Sequence, residues 1–311
     1  MTAAVNSLPV GSNDWPRRGL ALGTWLRVGL RAFDELVATH NSLPMPNSPA
    51  WFDRLTFTDE GGRSGAMGSW YGLLTMGGAA EMLRGLCVLL EQSVATPLTR
   101  AHMPLARSLQ EHLGRVVWLC EPGFTEAAAA DAAPDAWEQR HLRALLIAAE
   151  ASSEQEANLA LNDPDVNGVA AAKTEAARLR SNARALAGRL RIDLPDPQSP
   201  TNYAIAIEVI SARVHSDELR MHPQSSYKTF SETTHGGLVG LHSDSTLKDS
   251  GRLVFEQDNQ GLDAIASRVG WWWASAVWML GRFYGWNVDA ALKPFEDLWA
   301  ALYPEEGEAA D

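Results

Sequence analysis

Cysteine is scarce in this chain: only Cys87 and Cys120 occur in 311 residues. They form no CxxC pair, which excludes a zinc knuckle and a dithiol redox motif. Both sit in apolar helical contexts, RGLCVLLE and VVWLCEPG, where a free thiol packs as a small hydrophobe. Long apolar runs are lacking too. The tryptophan-rich run VGWWWASAVWMLG, uncharged between Arg268 and Arg282, falls short of the ~20 residues a bilayer span needs. MTAAVNSLPVGSNDW has no basic start followed by an apolar run, so no signal peptide is expected. GxSxG, Walker and GxGxxG motifs are missing, and GGLVGLHSD lacks the preceding strand that a dinucleotide site needs. Positive charge is the minority sign: 26 Lys and Arg stand against 38 Asp and Glu, for a net charge of -12. Such a surface repels phosphate backbones at long range, which speaks against general DNA binding. A cytoplasmic protein with no membrane segment and no cofactor is expected.

What is present is helical periodicity. A first amphipathic helix runs through WPRRGLALGTWLRVGLRAFDELVATH. NSLPMPNSP reads as a loop, and residues 51–69 read as irregular and glycine-rich. Helices follow at WYGLLTMGGAAEMLRGLCVLLEQ, at LARSLQEHLGRVVWLC and at WEQRHLRALLIAAEASSEQEANLALN. The Ala- and Arg-rich VNGVAAAKTEAARLRSNARALAGRLR is weakly hydrophobic and reads as an exposed arm or an edge hairpin. DLPDPQSP is a linker. NYAIAIEVISARVH and SSYKTFSETTH read as helices and RLVFEQ as a short strand. Two helices close the chain, LDAIASRVGWWWASAVWMLGRFYG and VDAALKPFEDLWAALY. Long helices on short loops predict an all-α multi-helix bundle. It is one domain over 1–304, allowing an inserted helical hairpin at 140–192, with an acidic tail at 305–311.

Chemistry can be sought in three places. In SSYKTFSETTHGG, Tyr227, Ser231 and His235 recur every fourth residue and share a helix face, before Gly236 and Gly237 end the helix. An imidazole titrates near neutrality, so His235 suits a general base or acid, with His242 and Asp244 following. A structural role, capping carbonyls or satisfying a buried partner, is the plainer alternative. In LARSLQEHLGRVVWL, Arg107, Glu111 and Trp118 lie along one stripe with Arg115 close by. They read either as surface ion pairs or as an Arg–Glu pair facing the bundle interior. EQRHLRALLIAAE carries Arg140, His141 and Arg143, a solvated basic turn or a further part of the site. A metal centre is not expected. Glu111 and His112 are adjacent and diverge, and His215, His222, His235 and His242 fall at irregular spacings.

Twelve tryptophans are many for this length. Trp271, Trp272 and Trp273 fan across most of a helix circumference, so at least one is expected to face a second surface. With Trp278 and Trp286 they read as core, as a pocket lining, or as the interface of a homodimer.

Three landmarks thus stand in order over roughly residues 100–245. They are Arg107-x3-Glu111 running into Trp118-Leu119 and Pro122, then Arg140 with Arg143, then Tyr227-x3-Ser231-x3-His235-Gly236. This order resembles all-helical actinobacterial proteins similar to the HEPN-like superfamily. The resemblance implies a helical, often dimeric domain, whose active members cleave RNA with an Arg and a His a few residues apart on one helix. His235 matches that histidine. The only basic residue upstream on its helix is Lys228, so the resemblance implies an arginine from another helix, Arg107 or Arg140, or a member that has lost catalysis.

Three functions remain open at this point. One is a HEPN-like protein acting on RNA in a defence or stress response. The second is a small-molecule enzyme or binding protein. Its tryptophan-lined pocket would end in Arg107, Glu111, Arg140, Arg143 and the Tyr227–Ser231–His235 face. The third is an interaction or dimerisation scaffold without chemistry.

Overall fold

The computed structural model describes residues 15–56, 66–92, 102–121, 136–162, 166–194, 200–214, 245–247, 253–255 and 259–303. Among them the chain forms nine helices and one two-stranded ribbon. In chain order these are α1 (Trp15–Thr39), α2 (Pro49–Thr56), α3 (Ala66–Gln92), α4 (His102–Cys120), α5 (Ala136–Asn162), α6 (Val166–Leu190) and α7 (Pro200–Val214). Then come β1 (Ser245–Leu247), β2 (Leu253–Phe255), α8 (Asn259–Tyr284) and α9 (Val288–Leu302). The protein is an all-α multi-helix bundle. β1 and β2 pair antiparallel, with Thr246 opposite Val254; β2 lies in the expected RLVFEQ.

Two element boundaries differ from expectation. Residues 51–69 are not irregular throughout, since α2 ends at Thr56 and α3 begins at Ala66. Ser48 caps α2, its Oγ accepting from the Trp51 amide at 3.2 Å, and Pro49 fills the first helical position. α4 starts at His102, inside the expected breaker TPLTRAHMP. Pro104 lies in its first turn, where a missing amide hydrogen costs nothing.

α8 organises the core. It packs against α1, α2, α4, α7 and α9, and a helix enclosed on every side is apolar all round. The three consecutive tryptophans are all buried. Trp271 meets Phe295 and Trp299 of α9 edge-on. Trp273 meets Phe33 of α1 at 5.7 Å. Trp272 points to a third side, where the Arg268 guanidinium approaches its ring. The second surface expected for this triplet is therefore inside the same chain, because α8 has neighbours all around it. Gly270 permits the closest approach, as a Cβ there would fall 2.1 Å from the Trp25 ring.

α5 and α6 form a hairpin with its own apolar seam. Leu142, Leu145, Leu146 and Ala149 face Leu179, Ala183, Leu186 and Ala187. Small alanines let the two backbones approach, which explains how a weakly hydrophobic helix packs at all. Tyr71 of α3 and Trp118 of α4 join this seam to the rest. Among the described residues one stretch, Trp70–Gln92 of α3, is long and apolar enough to cross a membrane by length and composition. Glu81 and Arg84 interrupt it, so a search for uncharged runs passes over it. Here Met76, Ala79, Leu83, Leu86 and Leu90 are buried in the core.

Candidate functional site

α4 positions the polar groups. Leu109, Leu113, Val116, Val117 and Cys120 turn into the core. Helical spacing then leaves Arg107, Ser108, Glu111, His112 and Arg115 along one half-open stripe. Arg107 Nε donates to Glu111 Oε1 at 3.0 Å. One turn on, Arg115 Nη2 donates to Glu150 Oε1 of α5 at 2.9 Å. The Tyr203 hydroxyl of α7 donates to the other Glu150 oxygen at 3.5 Å, and the Arg115 guanidinium lies 5.3 Å from the Tyr203 ring centre. Burial pushes the Glu150 carboxyl above its usual range, against the pull of Arg115. Burial likewise raises the Tyr203 hydroxyl, and the Glu150 charge adds to it.

His112 is the one imidazole of this stripe. Its Nδ1 lies 2.8 Å from the Ser108 carbonyl oxygen. A carbonyl only accepts, so Nδ1 carries the proton and Nε2 holds the free lone pair. Burial lowers the imidazole pKa below 6.5, and the Ser108 bond only partly offsets this. Arg115 lowers it further, while Glu111 and Glu154 raise it. The ring is therefore neutral at pH 7. Nε2 lies against α3, where a Cβ on Gly78 would come within 3.8 Å of it, an ordinary van der Waals contact.

α5 is tied to α4 by Arg143–Glu121 and Arg115–Glu150, a register in which the two helices run antiparallel. Past Glu150 no hydrogen bond among the described residues ties α5 to α4. Further along α5, Ala151, Glu154, Gln155, Asn158, Leu159 and Asn162 line an open groove of about 440 Å³, whose described walls all belong to α5. Glu154 is the lining residue that senses His112 electrostatically.

Behind the stripe the polar groups are buried and serve packing. Glu208 of α7 receives Arg268 of α8 at 3.0 Å and Gln110 of α4 at 3.5 Å. Gly114 meets the Tyr203 backbone directly.

The residues singled out in the sequence divide into three groups. Arg107 and Glu111 stand together on the α4 stripe. Arg140 and Arg143 gather at its other end, about 16 Å from Arg107 along the helix axis. There Arg140 forms a buried fork with Asp53, at 2.6 and 2.8 Å. Arg143 donates to the Trp118 carbonyl and to Glu121, and lies over the Trp118 ring. Its positive charge at a helix C-terminus satisfies carbonyls that have no partner within the helix. Tyr227, Ser231 and His235, with His242 and Asp244, lie outside the described residues.

In sequence His112 stands beside Glu111 and diverges from it, which argues only against a metal pair. The usable signal was the run of Arg107, Ser108, Glu111, His112 and Arg115 at helical spacing. Among the described residues, no three His, Cys, Asp or Glu side chains converge to hold a metal ion. No family model matches the chain, and comparison with curated proteins and with solved structures gives no match either.

Proposed function

We propose that the polar stripe of α4 borders a small-molecule site in which His112 acts as a general base. The observation that carries this reading is the imidazole itself. Its proton is fixed on Nδ1 by the Ser108 carbonyl, which leaves the lone pair on Nε2, beside Gly78 of α3. A neutral, oriented imidazole of depressed pKa accepts a proton at neutral pH, the property a general base requires. Arg107–Glu111 and Arg115–Glu150–Tyr203 flank it and hold the stripe in place. The experiment is a ligand screen read by the ¹⁵N signals of the His112 ring. Hits should perturb Nε2 and be lost in H112A. If turnover of a hit is found, H112A should lower it about 10²–10⁴-fold, the usual contribution of a general base. Hits that all bind H112A unchanged would overturn the reading.

One observation favours an RNA-directed second reading. Gln110 pairs with Glu208 and Gly114 abuts Tyr203, so α7 runs antiparallel to α4. Its C-terminal end therefore delivers the chain toward the Arg107 end of α4, just before the segment that carries Tyr227, Ser231 and His235. In this reading Arg107 supplies the arginine that the His235 helix lacks, and two copies of the chain assemble around the site. Cleavage of single-stranded RNA that is lost in both R107A and H235A would support it. Intact RNA with the wild-type protein would remove it.

A further inference from the structure

We infer that the chain assembles head to tail, the basic outer face of α6 on one copy taking the acidic α9 side of the next. The partner is a second copy, and the contact is electrostatic.

The two faces carry opposite charge. Over residues 166–191, six Lys or Arg stand against Glu175 alone, a net of +5 in a chain whose total is -12. Over residues 288–311, seven Asp or Glu stand against Lys293, a net of -6; four of the seven follow α9 in the sequence, beyond the described residues. The cations of α6 fall into two sets. Arg178 is held by Glu175, and Arg189 by Glu138 of α5. Lys173, Arg180 and Arg184, at i, i+7 and i+11, share one line of the helix about 16 Å long, and Arg191 stands just past its end. Lys173, Arg184 and Arg191 are exposed and enter no ion pair among the described residues. Arg180 meets the neutral Ser153 hydroxyl at 2.7 Å. On α9, Asp289 and Glu296 share a line at i and i+7 with Asp297 beside them, all exposed. Asp289 is held by Arg282 and Asp297 by Lys293, while Glu296 has no ion pair among the described residues. The packing order sets the faces on opposite sides. α6 packs on α5, α5 on α3 and α4, these on α1 and α8, and α9 on α1 and α8. Four steps of helix packing place α6 and α9 roughly 30–40 Å apart. At a screening length of ~8 Å in physiological salt, they do not neutralise each other within one copy. Complementary charge on opposite sides makes a heterologous contact, which repeats from copy to copy. A nucleic acid fits the stripe less well. It would run on over the acidic remainder of the chain, and α6 has no aromatic ring on which a base could stack.

The test is sedimentation of the full chain at low and at high salt over a range of concentrations. At low salt the mean mass should climb with concentration past that of a dimer; at high salt it should fall to that of one chain. K173E/R184E and E296K/E305K should each stay monomeric at low salt with an unchanged circular dichroism spectrum. Mixed in equal amounts, they should form heterodimers and stop there, since each retains one intact face. R178A removes a cation already held by Glu175 and should leave assembly as it is, which separates the stripe from overall charge. A wild-type chain that stays monomeric at low salt would overturn the inference. So would a dimer of fixed mass, an assembly that K173E/R184E leaves intact, or an equal loss in R178A. The same runs with a short RNA duplex test the competing occupant. A duplex that binds wild type through Lys173 and Arg184, with no chains forming in its absence, would assign the stripe to nucleic acid and sink the assembly.

Discussion

Arg140 and Asp53 are locked together inside the protein. Nε and Nη2 of the arginine meet the two carboxylate oxygens at 2.8 and 2.6 Å, and both side chains are less than a tenth exposed. The fork ties α5 to α2, and the guanidinium lies 5.4 Å from the Phe283 ring centre of α8. It leaves Arg140 no free face to offer a ligand. Truncating either partner strands a charge where water cannot reach it, which costs about 3–5 kcal/mol. R140A and D53A should each lose stability on that scale in urea unfolding. The double change R140M/D53L, which removes both charges together, should recover most of the loss. An R140A protein of unchanged stability that no longer binds its ligand would instead return Arg140 to the site.

A second contact fixes the frame of the site. A Cβ on Gly114 would lie 2.1 Å from the Tyr203 carbonyl oxygen. Backbone cannot move aside as a flexible side chain can, so α7 must shift. Overpacking of this kind typically costs about 1–3 kcal/mol. G114A should lower the melting temperature accordingly. It should also loosen the Tyr203–Glu150–Arg115 group, because Tyr203 is the residue displaced. The second effect is read as a change in the Tyr203 ring signals by NMR. A G114A protein with native stability would show that the two helices can separate without loss.

Fold class was legible in the sequence because long stretches free of breakers alternate with short loops rich in proline and glycine. α2 was missed although its signals were present: NSP is an N-cap followed by a first-position proline, hidden by the glycines after it. The tryptophan triplet misled for a different reason. Periodicity tells how many directions a helix face points in, but not what fills each direction. Only the packing of α1, α7 and α9 around α8 turns three outward-looking indoles into core. The site was half legible. Arg107 and Glu111 pair four apart, as local spacing dictates. The partners of Arg115 and Arg140, which are Glu150 and Asp53, lie 35 and 87 residues away in the chain. Nothing in either local sequence announces such a partner. The contact of His112 with Gly78 of α3 is a tertiary fact.

The cysteines give a prediction that needs no knowledge of function. Both are buried and unbonded. Burial pushes the Cys87 thiol up to about 12 and that of Cys120 higher still. The thiolate is the nucleophile, so a raised pKa together with burial makes both inert. The native protein should leave both unmodified by a disulfide reagent at mildly alkaline pH, while the urea-unfolded chain reacts at both. A fast-reacting thiol in the native state would contradict their place in the core.

The last prediction concerns the charge state of His112. Burial holds its folded pKa below the ordinary 6.5, while the unfolded chain titrates near 6.5. In the window between the two values the unfolded state therefore binds more protons than the folded one. Stability must rise with pH wherever that is so. His112 thus withdraws stability as pH falls below 6.5 and has no such effect above it. Glu111 and Glu154 favour the charged ring and soften the loss; Arg115 sharpens it. H112Q cannot titrate, so it escapes this component. Urea unfolding of both proteins across about pH 5 to pH 8, the range in which histidine changes charge, separates the two cases. The stability difference between wild type and H112Q should be level on the neutral side. It should then shift in favour of H112Q as the solution is acidified. The ¹⁵N shifts of the ring should show the proton on Nδ1 at neutral pH, and a midpoint below 6.5. A midpoint above 6.5, with the difference moving in favour of wild type on acidification, would mean the ring is stabilised as a cation. Were that midpoint well above neutral pH, the ring would hold no lone pair there, and His112 could not be the base of the site.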